Sequence, residues 1–266
     1  MSEGAAEGTD PGAGGGWGLS DGWEERQPVV LLLDTSASMG RPADRPRIDA
    51  LSTALARWFE EVRAEPRLRS RVEVCLLSFD SAVRVFDPVR GELVALHEAV
   101  AERLFVPVEQ MRPPRLEASG LTRMTVAVEA ALDLAAARYR TLQRQRTQVR
   151  RPFLWVLTDG APSDADGRPL DAPALAGTAL RIRQAEERGA CVFQAIGVQG
   201  ANLPLLRVLA PKAALMLDEL DFGEILDVLF QSSDRVGAVQ DVDEIHRETR
   251  RIAERRRCRK ALEEEL

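Results

Sequence analysis

Two carboxylates, Asp34 and Asp159, each close a short apolar run, Val29 to Leu33 in one case and Phe153 to Leu157, followed by Thr158, in the other. Ser36 and Ser38 follow Asp34 at every second residue, so an oxygen-rich cluster stands where a buried strand would deliver it to the carboxyl edge of a sheet. Carboxylates and hydroxyls with no histidine or thiol among them form a hard donor set. Such a set suits Mg²⁺ or Mn²⁺, leaves Ca²⁺ open, and is unsuited to zinc. Both histidines, His97 and His246, stand far from these residues in sequence, and no nucleophile or acid–base pair is indicated by spacing. The expectation is a binding site and not an enzyme.

The surrounding pattern says what must position these groups. Apolar residues at Ile48, Leu51, Leu55, Phe59 and Val62 mark one face of a helix over about 44–65, stopped by Pro66. Residues 72–79 read as a strand, Asp80-Ser81 as a turn, and 83–86 as an antiparallel edge strand. Leu93, Leu96, Val100 and Leu104 have helical spacing, and prolines 107, 113 and 114 follow in a connection. An alanine-rich helix runs to about Tyr139. A helix over 171–188 is closed by Gly189; a strand at 191–196, a short helix at 202–210, a strand at 213–217 and a helix at 221–232 complete the pattern. Strands alternating with helices predict an α/β fold: a doubly wound, mostly parallel, six-stranded sheet of order 3-2-1-4-5-6 with one antiparallel edge strand and helices on both faces. That order sets the ends of the strands bearing Asp34 and Asp159 side by side at the switch point, where such sheets bind ligands.

The chain has 266 residues, 45% of them hydrophobic and 29% charged, ordinary for a globular protein. Residues 1–25 are Gly-rich and acidic and are expected to be disordered, with Trp17 and Trp23 as a candidate partner motif. Their six acidic groups equal the whole formal net charge of −6, leaving no general field directed at nucleic acid. The N-terminus lacks the basic cap and apolar core of a secretory signal, and no apolar run reaches membrane-spanning length. Three scattered cysteines form no metal spacing. The expectation is a cytoplasmic protein with one domain at 26–236 and a charged helical tail at 237–266, whose Arg255-Arg256-Arg257 run reads as part of a solvated helix.

Asp34-Thr35-Ser36-Ala37-Ser38 resembles the D-x-S-x-S signature of von Willebrand factor type A (vWA) domains, whose metal-ion-dependent adhesion site (MIDAS) also draws a threonine from a later loop and an aspartate from the fourth strand. Thr122 in Ser-Gly-Leu-Thr and Asp159 in Thr-Asp-Gly match those positions. LLLDTSASM, ASGLT and TDGAPSD are similar to the bacterial cytoplasmic TerY-type, tellurium-resistance-associated group, although Leu121 stands where that group often has glycine. The resemblance implies a metal set of Asp34, Ser36, Ser38, Thr122 and Asp159. It implies loops near the metal, with Met39, Gly120, Gly160 and Asp164, that shape partner choice. It further implies a scaffold or adaptor in a stress-response or defence complex, completed by a partner's Asp or Glu, with a kinase and a PP2C-type phosphatase as associated partners.

Three other readings compete. Asp34, Ser36 and Ser38 also suit a helix N-cap and an Asx turn that need no metal. A metal-dependent hydrolase or phosphotransferase would use the same oxygens, but Gly40 is the only glycine in the first strand's turn and no phosphate-cradling loop is present. A partner subunit of an AAA-ATPase or chelatase is the third.

Overall fold

The computed structural model describes residues 25–69, 71–216 and 241–264. The strands are β1 (Gln27–Asp34), β2 (Val72–Phe79), β3 (Val83–Asp87), β4 (Glu92–Ala95), β5 (Val106–Pro107), β6 (Phe153–Thr158), β7 (Val192–Gly197) and β8 (Ala214–Met216). The helices are α1 (Arg47–Ala64), α2 (Pro66–Arg69), α3 (Met124–Arg144), α4 (Ala172–Glu187), α5 (Leu203–Leu209) and α6 (Val242–Glu264). One sheet orders the strands β4-β3-β2-β1-β6-β7-β8, with β5 beside β2.

The central strand β1 is buried at all eight residues, because helices cover both faces of the sheet. Its side chains divide by the strand period of two. Val29, Leu31 and Leu33 face a core with Leu51, Leu55, Trp58 and Phe59 of α1, whereas Val30 and Leu32 face one built with α3, α4 and α5. On α3 the buried residues Ala127, Ala131 and Ala135 recur every fourth position, a small-residue stripe that faces the sheet. Gly189, at φ +67°, closes α4 through the Gly189 and Ala190 N–H groups, as its position in the sequence predicts.

The predicted order of the six main strands is present, but the sheet is larger than six strands. Residues 92–95 form β4, not the start of a helix: Leu93 and Val94 pair with Phe86 and Val85 and cover the open edge of β3. The turn that reverses the chain is written in Asp87, whose Oδ1 accepts from Val89 and Arg90 N–H, and in Gly91 at φ +72°. The helical spacing at 93, 96, 100 and 104 is thus coincidental, and only short 3₁₀ turns follow at 96–98 and 101–103. β5 pairs antiparallel with Glu73 and Val74 of β2, while β3 takes the other half of the same edge at 77–79. Two strands, β3 and β5, therefore run antiparallel to β2 where a single one was expected, and β4, antiparallel to β3, returns in the direction of the parallel strands.

The charged tail is helical but not simply solvated, because Ile245, His246 and Thr249 of α6 are buried and Thr249 Oγ1 accepts from Gln194 Nε2 at 2.9 Å. The helix expected at 221–232, the acidic segment 1–24 and its two tryptophans lie outside the described residues.

Candidate metal-binding site

Asp34 is the last residue of β1, and the β1–β6 register, Leu33 opposite Leu157, brings Thr158 beside it. Thr158 Oγ1 donates to Asp34 Oδ2 at 2.5 Å and accepts from Gly160 N–H at 3.1 Å. The other carboxylate oxygen, Oδ1, accepts from Ser36 N–H at 2.8 Å, an Asx turn that points the chain back over the sheet edge. The turn reading of this stretch is therefore correct as far as Asp34 goes. The N-cap reading is not: Ser36 precedes the 3₁₀ turn at 37–40, but its hydroxyl makes no capping hydrogen bond.

That hydroxyl turns instead toward Ser38, with the two Oγ atoms 3.0 Å apart. Ser38 Oγ donates to Asp159 Oδ1 at 2.6 Å, so the proton between the serines is supplied by Ser36. Arg47, the first residue of α1, donates through Nη1 to Asp159 Oδ2 at 2.8 Å and reaches Ser38 O at 3.4 Å. Asp34, Ser36, Ser38 and Asp159 thus form one hydrogen-bonded edge with Arg47 and Thr158 as supports.

Thr122 joins from the loop before α3. Its N–H donates to Ser163 Oγ, and its carbonyl accepts from Ser163 N–H at 2.9 Å, which ties this loop to the one after β6. Two backbone bonds tie it to the serine loop: Ala37 N–H to Gly120 O at 3.1 Å and Ser119 N–H to Thr35 O at 2.8 Å. A Cβ placed on Gly160 would lie 3.5 Å from Thr122 Oγ1 and 3.7 Å from Ser38 Oγ, so these hydroxyls flank the same small space. Thr122 Oγ1 has no hydrogen-bond partner among the described residues.

The neighbouring residues divide in role. Gly120 is exposed at the rim, and a side chain on it would collide with Ser81. Gly160 borders the space directly. Met39 is 1% exposed and packs in the core over α1, so its assignment as a partner-facing residue is corrected: the 3₁₀ turn points it inward. Asp164 is spent on its own turn, its Oδ1 accepting from Asp166 and Arg168 N–H. Leu121 rests against Gly167, so the departure from glycine is used for loop packing.

Electrostatics set this edge apart. Asp34 is fully buried, and burial pushes its carboxyl up to about 6, against the hydrogen bonds from Ser36 and Thr158 that pull it down. The negative charge of Asp159, itself 2% exposed, adds to the rise. Two buried carboxylates with converging hydroxyls and one guanidinium are short of positive charge. The donor chemistry fits a hard divalent cation: Ser36, Ser38 and Thr122 offer short neutral oxygens, backed by Asp34 and Asp159. Among the described residues no group of three or more His, Cys, Asp or Glu side chains is placed to hold a metal ion.

A cleft of about 390 Å³ lies elsewhere, between α4, the 210–213 connection before β8 and the start of α6, and shares no residue with the oxygen cluster. Two ion pairs lie along it, Lys212 Nζ to Asp243 Oδ1 at 2.6 Å and His246 Nε2 to Glu186 Oε1 at 2.9 Å. His97 is exposed. Cys75 and Cys191 are buried with thiols raised by burial, and act as small core residues.

Sequence reasoning missed Arg47, Thr158 and Ser163. Thr158 was legible as the residue before Asp159 on a strand edge. Ser163 lies within the TDGAPSD stretch but was given no role there, and Arg47 carried no signal, because only the fold brings it to the cluster.

No family model matches the chain, and no curated protein matches it by sequence. Solved structures do. The vWF domain of the type V pili tip protein Mfa5 from Porphyromonas gingivalis superposes with a TM-score of 0.51 at 11% identity, over 79% of this chain and 95% of that one. A von Willebrand factor type A structure from Catenulispora acidiphila gives 0.49 at 18% identity, over 79% and 43%. Proximal thread matrix protein 1 from the mussel byssus gives 0.48 at 13%, over 77% and 47%, so this chain spans about half the length of that protein. With the strand order and the helices on both faces, the likeness to the Mfa5 domain defines the fold as that of a vWA domain. Among the described residues no helix is long and apolar enough to cross a membrane.

Proposed function

We propose that this chain is a non-enzymatic, metal-dependent protein-interaction module that binds a partner's Asp or Glu through a divalent cation. One observation carries the reading. The Asp34–Ser36–Ser38 loop, Thr122 and Asp159 come from three separate segments and converge at the carboxyl edge of the sheet around a space bordered by Gly160. Ser36, Ser38 and Thr122 would hold Mg²⁺, or Mn²⁺ or Ca²⁺, through their hydroxyls, with Asp34 and Asp159 acting directly or through water. When bound, the cation supplies an electrophilic attachment point. The chain's own residues orient it and leave a position open to a carboxylate from outside.

The sequence likeness to TerY-type proteins supports placing the module in a cytoplasmic stress-response or defence complex, as a scaffold for partners such as a kinase and a PP2C-type phosphatase. The test is an affinity capture with wild type, with Asp159→Ala, and with wild type in chelator. The expected outcome is a partner set retained by wild type with Mg²⁺ and lost in the other two arms. An unchanged set in all three would rule out metal-bridged binding.

A further inference from the structure

Arg47 is one of three residues at the site that the sequence reading did not assign, and the only charged one. It opens α1, where the helix dipole disfavours a cation, and Asp49 is the only acidic residue in that first turn. It is mostly shielded, with 16% of its side chain exposed, and Nε is buried without a hydrogen-bond partner among the described residues. A guanidinium so placed does not serve the helix that carries it. What it does engage is the candidate site: Nη1 lies 2.8 Å from Asp159 Oδ2 and 3.4 Å from Ser38 O, while Asp159 Oδ1 is held by Ser38 Oγ. Gly200 completes the enclosure. At φ +107° its Cα passes so close to Asp159 O that a Cβ there would lie 2.7 Å away, and the same Cβ would be 4.0 Å from Arg47 Nη2.

We infer that Arg47 is a tethered counter-cation of this site, holding Asp159 and Ser38 in place in the metal-free protein and giving up Asp159 Oδ2 when a divalent cation binds. The inference rests on the metal reading given under Proposed function. Its physical content is competition. A fixed positive charge in contact with one carboxylate of the set opposes a second cation at the neighbouring hydroxyls, and it also offsets the repulsion between Asp34 and Asp159 when no metal is there. The site is thereby tuned to weak, reversible metal binding, and the metal-free fold does not depend on the ion.

The test titrates Mn²⁺ alone into wild type, Arg47→Met, Arg47→Lys and Ser36→Ala, following free Mn²⁺ by electron paramagnetic resonance and thermal unfolding in chelator. Arg47→Met should bind Mn²⁺ about tenfold more tightly than wild type. In chelator it should unfold a few degrees lower, on the order of what one lost ion pair costs. Arg47→Lys, which keeps the charge, should stay near wild type in affinity and guards against a folding defect in the methionine variant. Equal or weaker Mn²⁺ affinity in Arg47→Met, with Ser36→Ala abolishing binding, would overturn the role of Arg47 and leave the metal reading standing. No Mn²⁺ bound by wild type or Arg47→Met would overturn both.

Discussion

At the amino end of β2, Glu73 is 2% exposed, and its two carboxylate oxygens are met by the fork of a single guanidinium, Arg138 Nε to Oε1 at 2.6 Å and Nη2 to Oε2. Arg138 also stacks over the Phe105 ring, its Cζ 5.7 Å from the centroid. One buried anion, one cation and a two-point geometry leave nothing to be satisfied from outside. At the carboxyl end of the same sheet, Asp34 and Asp159 are equally buried, yet they share one guanidinium that touches only one of them. Their remaining bonds come from hydroxyls and backbone N–H groups. A carboxylate matched by its own cation is a structural device. Two carboxylates beside one cation, lined by hydroxyls, form a place that attracts another cation. Burial alone does not distinguish the two ends; the local charge balance does.

The contrast fails if the two ends respond alike to neutralisation. The largest effect is expected at the structural end: Arg138→Ala strands Glu73 and should cost about 3–5 kcal/mol, about a 10 °C fall in melting temperature for a domain of this size, with divalent binding unchanged. The site end should move the other way. Asp34→Asn removes a poorly compensated buried charge and should raise metal-free stability at pH 7.5 by about 1–2 kcal/mol while abolishing metal binding. A loss of stability there comparable to that of Arg138→Ala would put both ends in the same class.

The smallest effect is a pH trend in chelator. The folded-state carboxyl of Asp34 titrates near 6 against an ordinary value of 3.8, so between these values the folded chain holds a proton that the unfolded chain has lost. Its contribution to stability is fully present below 3.8 and disappears as pH rises through 6. Denaturant midpoints should therefore show about 1 kcal/mol more stability at pH 5 than at pH 7.5 from this group. The difference should vanish in Asp34→Asn.

How much of this was legible in the sequence follows the range of the interactions involved. β1 and β6 are uninterrupted apolar runs that end in a polar turn, so their double burial and their shared edge could be read directly, and with them Asp34 and Asp159. Thr122 was legible only through its motif, because the bonds that fix it run to Ser163, 41 residues away. The strand at 92–95 was hidden because its apolar spacing also fits a helix. Only the unpaired edge of β3, a tertiary fact, decides between them. Met39 looked like a rim residue because it adjoins Ser38, and the direction of the 3₁₀ turn puts it in the core. Arg47 was invisible for a simpler reason: an arginine among other arginines has no pattern until the fold sets it against Asp159.

The central claim is that the hydroxyls at this edge hold a divalent cation, and stoichiometric Mn²⁺ binding tests it most directly. Wild type should take up one Mn²⁺ per chain, displaceable by Mg²⁺, and the Ser36→Ala/Ser38→Ala double variant should take up none while keeping its circular dichroism spectrum. Uptake that survives the double substitution, or a wild type that binds no Mn²⁺ at millimolar concentration, would contradict the account.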